Sequence, residues 1–102
     1  METNIELINA IREMGKSRKL LAKQYLKNFQ SDVTFIIETQ SHDQNRIEHL
    51  LDNLLNYCFD AAILLEFKRL LRYYLPIDPE SVISYVNFYR DEYDVDYQED
   101  RN

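Results

Sequence analysis

Glycine and proline are almost missing from these 102 residues: there is one Gly and there are two Pro. A sandwich or barrel of many short strands needs turn residues at every reversal, and this chain does not carry them. That scarcity argues for helices. Cysteine is as scarce. Cys58 stands alone, so no internal disulfide can form, and its place on an apolar stripe reads as a buried, unreactive thiol. Long apolar runs are missing too. The longest, Ala61–Leu65, is five residues, far short of the roughly 20 that span a bilayer. The chain opens without the basic-then-apolar pattern of a secretory signal, so the expected address is cytoplasmic, with no membrane partner.

What is present is an ordinary globular composition, 45% hydrophobic and 29% charged, in a length that suits one domain. The expected organisation is a single helical domain over residues 1–93 and an acidic tail over 94–102. The net charge of −6 is unevenly spread. Residues 1–30 carry six basic and three acidic groups, residues 31–75 four basic and seven acidic, and residues 76–102 two basic and eight acidic. The chain is electrically bipolar, which bears on partners more than on fold.

The core reads most clearly between Ile47 and Leu75. Ile47, Leu50, Leu51, Leu54, Leu55, Cys58 and Phe59 recur at helical spacing. Ile63, Leu64, Phe67, Leu70, Leu71 and Tyr74 continue the pattern on nearly the opposite side of the wheel. That change of phase predicts two helices with a break near Tyr57–Asp60 and Asp60 as the second N-cap.

Upstream, Leu7, Ile8, Ile11, Met14, Leu21, Ala22, Tyr25, Leu26 and Phe29 share one helical face. The phase is kept across Gly15, so one helix of about 26 residues is expected, ending near Ser31-Asp32. Val33–Thr39 alternates like a strand but has no obvious partner, and a short helix is preferred. Gln40–Asn45 reads as a loop. Pro76 stops the central pair, Asp78 caps the next helix and Pro79 takes its first position. A last helix over about 79–93 carries Val82, Tyr85, Val86, Tyr89 and Tyr93 in one stripe, flanked by Ile83 and Phe88. The expected fold is all-α, a compact bundle of about four to five helices.

No motif survives scrutiny as chemistry. Ala10–Ser17 loosely matches a phosphate-binding loop, but helical periodicity precedes it and no Gly-rich cradle or Mg²⁺-binding strand accompanies it. A helix-turn-helix with Gly15 in its turn would place Lys16 where an apolar residue belongs. His42 and His49 are two turns apart, too far to share a zinc ion on one helix. Asp94, Asp96 and Gln98 resemble the start of a calcium loop, but Glu99 stands where Gly is required. No metal, cofactor or catalytic residue is expected, and the chain is read as a non-enzyme.

Two surface patterns remain. Arg12, Lys16, Lys19, Lys23 and Lys27 form a basic row within about 80° of one another on the first helix. Tyr85, Tyr89 and Tyr93 form an aromatic stripe on the last, suited to a core edge or to an interface. Together they point to a small protein-interaction module, an adaptor, inhibitor or regulatory subunit, with another protein as partner and a homodimer as a further possibility. The alternative is a nucleic-acid-associated protein using the basic row. The acidic isoelectric point and the absence of aromatics among the lysines weaken that alternative.

Overall fold

In a computed structural model the chain is all-helical over the residues it describes, 2–93, with no strand among them. The tail at 94–102, with its calcium-like residues, lies outside them. Four helices follow in order: α1 (Glu2–Glu38), α2 (Gln44–Leu55), α3 (Ala61–Tyr74) and α4 (Pro79–Tyr93).

Each of the last three starts on an aspartate. Asp43 accepts from the backbone N–H of Arg46 at 3.2 Å. Asp60 accepts from the N–H groups of Ala62 and Ile63 at 2.9 and 3.1 Å. Asp78 accepts from the Ser81 N–H at 3.1 Å and from its hydroxyl at 2.7 Å. Such caps satisfy donors that the first turn of a helix leaves unpaired. The break at Tyr57–Asp60 and the boundary at Leu75–Pro79 therefore fall where the sequence puts them.

The end of α1 does not. Ser31-Asp32 neither breaks nor caps it, and Val33–Thr39 is not a separate element: α1 runs through both to Glu38. The reason is burial. Val33 and Ile36 are fully buried and continue the face of Ala22 and Phe29 at the same helical phase. Tertiary packing outweighs the weak β preference of this stretch. Gln40 then takes a left-handed conformation (φ 53°). Its N–H reaches the Ile37 carbonyl at 3.1 Å and that of Ser41 the Ile36 carbonyl at 3.0 Å, the paired bonds of a Schellman terminus in which Gly is the usual residue.

The hub is α3, which touches each of the other helices. Ile63, Phe67, Leu70, Leu71 and Tyr74 meet Ile47, Leu50, Leu51 and Leu54 of α2 and the Ala22–Ile36 face of α1 in one buried cluster. Arg69 links α3 to α1, donating to Thr34 Oγ1 at 2.5 Å and to the Gln30 carbonyl at 3.4 Å. It also lies 3.2 Å from buried Glu66, an ion pair not aligned as a hydrogen bond.

Helix lengths set the shape. The 37 residues of α1 give it about 55 Å, and the longest dimension of the molecule is 56 Å. The others have 12, 14 and 15 residues, or about 18–23 Å each. The body can cover only part of α1.

Candidate interaction surface

The uncovered part is the N-terminal half. From Ala22 onward the apolar face of α1 is covered by α2 and α3. Ahead of it the same face continues in phase, with Leu7 60%, Ile8 49%, Ile11 60% and Met14 67% exposed. The sequence places these four on one face with residues that are buried, and they themselves lie outside the core. Ile5 is exposed as well, off that face. The signal for this was available in the lengths: a helix of at least 26 residues outruns any cover that helices of 12–15 residues can offer.

Arg18 marks where the arm leaves the body. Its guanidinium donates to the Asn56 carbonyl at 2.9 Å and sits 5.1 Å from the centre of the Phe59 ring. Phe59, expected in the core, is 40% exposed at this corner. Gly15, Arg18, Lys19 and Phe59 line a shallow hollow there. Gly15 faces open space, and a Cβ added to it would meet nothing within 4 Å. The only glycine of the chain thus lies mid-helix at a cost of about 1 kcal/mol relative to Ala, and nothing within the molecule requires it.

The basic row lies on the same helix. Arg12, Lys16, Lys19, Lys23 and Lys27 are all exposed. Arg12–Lys16, Lys19–Lys23 and Lys23–Lys27 are like charges one turn apart. Each such pair destabilises the helix by a few tenths of a kcal/mol.

The tyrosine stripe is placed differently. Tyr85 is buried and its hydroxyl donates to Asp52 Oδ1 at 2.7 Å. Tyr93 donates to the Leu55 carbonyl at 2.7 Å. Tyr89 lies between Phe67 and Tyr93 with tilted rings, the centres 6.2 and 5.3 Å apart. Tyr74 donates to Glu48 Oε2 at 2.6 Å, and the Ser81 hydroxyl approaches the same oxygen at 3.4 Å. These hydroxyls pin α4 and α3 to α2. Burial, and then the neighbouring carboxylate, push the ionisation of Tyr74 and Tyr85 well above the ordinary tyrosine range. The hydrogen bonds from Ser81 hold the Asp78 carboxyl below its usual value.

The remaining candidates for chemistry are spread apart. Cys58 is buried, its Sγ donates to the Leu54 carbonyl at 3.3 Å, and burial pushes its thiol up to about 12. The Ala10–Ser17 motif lies inside α1 rather than in a loop. His42 and His49 are both exposed, and no group of three metal-binding side chains occurs among the described residues. No helix there is long and apolar enough to cross a membrane. No family model, curated protein or solved structure matches this chain.

Proposed function

We propose that the chain is a non-enzymatic protein-interaction module, an adaptor, inhibitor or regulatory subunit, which binds through the projecting half of α1. One observation carries this reading: an apolar stripe of Leu7, Ile8, Ile11 and Met14 is exposed in phase with a half whose Ala22, Phe29, Val33 and Ile36 are buried. Monomeric proteins seldom leave contiguous apolar surface open, and such patches are characteristic of binding sites. A stripe at i, i+3, i+4, i+7 spacing on a helix is what a groove or a second helix recognises. The basic row on the other side of the same helix adds longer-range attraction for an acidic partner. The tyrosine stripe is engaged inside the fold, so the reading rests on the arm.

The test is retention of host proteins at low salt by the wild-type chain and by a Leu7→Asp/Ile11→Asp variant. Both positions are exposed, so the body folds in either case. A stoichiometric protein held by the wild type and lost by the variant is the expected result. Equal retention would place the contact elsewhere and end this reading.

A second reading rests on the same row. Arg12, Lys16, Lys19, Lys23 and Lys27 are exposed along one line, and a line of cations suits a phosphate backbone. Duplex DNA bound by all five would weaken with salt at a log–log slope of about −4 to −5. No retardation of DNA or RNA at low salt removes it.

A further inference from the structure

The arm has a shape that selects its own partner. Its open stripe is collinear with the face that carries the body, so the body stands like a step at one end of the stripe. The arm ahead of that step, from Ile5 to Ser17, is about 20 Å long. We propose that two copies of this chain associate through these arms, laid face to face and antiparallel. This rests on the reading above that the arm is the binding surface, and it names the partner.

Two observations lead there. The first is steric. Parallel arms in contact along this face would force both bodies into the same space between the helices. Antiparallel arms put the bodies at opposite ends, and the tip of each arm runs up to the Phe59 corner of the other.

The second is the register that this stop imposes. The twofold axis falls near Ile11, which meets its own copy. Ile8 then faces Met14, and Leu7 faces Gly15. Leu7 enters the hollow lined by Gly15, Arg18, Lys19 and Phe59. The glycine that nothing in one chain requires is the position at which a second chain comes closest. A missing side chain lets helices approach.

The closing experiment uses the full chain. Sedimentation from low micromolar to hundreds of micromolar should give the mass of two chains. Ile11→Asp, which acts twice at the axis, should weaken association by at least about 100-fold while far-UV circular dichroism and the melting of the body stay as they were. Single cysteines then read the register, because native Cys58 is buried and does not compete. Under mild oxidation Ile11→Cys should cross-link to its own copy, and Leu7→Cys should not, being displaced by about 12 Å. A wild-type chain that sediments as a monomer throughout overturns the inference. So does cross-linking of Leu7→Cys as readily as Ile11→Cys, which would mean a parallel pair. A monomeric chain that still captures a host protein through Leu7 and Ile11 overturns this inference alone and leaves the function reading intact.

Discussion

The two halves of α1 share one helical phase and differ in almost everything else. From Ala22 to Ile37 the apolar face packs against α2 and α3, with Ala22, Phe29, Val33 and Ile36 buried. From Leu7 to Met14 it is open. Periodicity records which side of a helix is apolar. It does not record what covers that side, which depends on how far the neighbouring elements reach. Here the neighbours are less than half as long as α1. The same pattern therefore makes a core at one end and an exposed surface at the other.

The largest way to break the comparison is a truncation in each half. Phe67→Ala, at a side chain 2% exposed beneath the covered half, should lower unfolding stability by about 3–5 kcal/mol. Leu7→Ala should change it by less than about 0.5 kcal/mol in dilute solution. Urea midpoints of the two variants check this, and a large loss for Leu7→Ala would mean that the arm is part of the fold.

Next comes pH, which acts on the body and spares the arm. Tyr74 and Tyr85 resist ionisation in the folded chain because burial and a nearby carboxylate disfavour the phenolate. In the unfolded chain they ionise near pH 10. Their contribution is therefore fully present below about pH 10 and is lost as pH rises above it. Urea midpoints from pH 8 to 11 should show that fall, and Tyr74→Phe/Tyr85→Phe should flatten it. A fall of equal steepness in the double variant would assign the effect to other groups.

A smaller effect is expected at the α3 cap. Asp60→Ala removes the acceptor for two N–H groups and should destabilise the body by about 1 kcal/mol. Calorimetry would register it as a lower melting temperature with no change in association.

The smallest effect sharpens the comparison most. Gly15→Ala should strengthen the helix of the isolated chain by about 0.5–1 kcal/mol, since the added methyl meets nothing. The same change should weaken self-association, since the second chain would meet the methyl at its closest approach. Helicity by circular dichroism and mass by sedimentation would move in opposite directions.

Much of the fold is legible in the sequence because its boundaries are local chemistry. Asp60, Asp78 and Pro79 mark helix starts through their own side chains. The phase change between Cys58 and Ile63 separates α2 from α3 without reference to anything distant. The continuity of α1 through Ser31-Asp32 is not legible in this way. It comes from burial of Val33 and Ile36 in a core that α2 and α3 complete later in the chain. The candidate surface was half visible. The basic row lies where the wheel puts it, exposed along α1. The exposure of Leu7, Ile8, Ile11 and Met14 needed the relative lengths of all four helices, and the inward use of Tyr85 and Tyr93 needed the acceptors Asp52 and Leu55 on α2.

Residue-resolved amide hydrogen exchange on the dilute full chain tests the central claim most directly. An arm without tertiary packing is only marginally stable as helix, whereas the covered half opens only with the body. The account predicts fast exchange from Ile5 to Lys16, strong protection from Leu26 to Ile37, and a rise in arm protection with concentration as the second copy covers it. Equal, concentration-independent protection on both sides of Gly15 would contradict it.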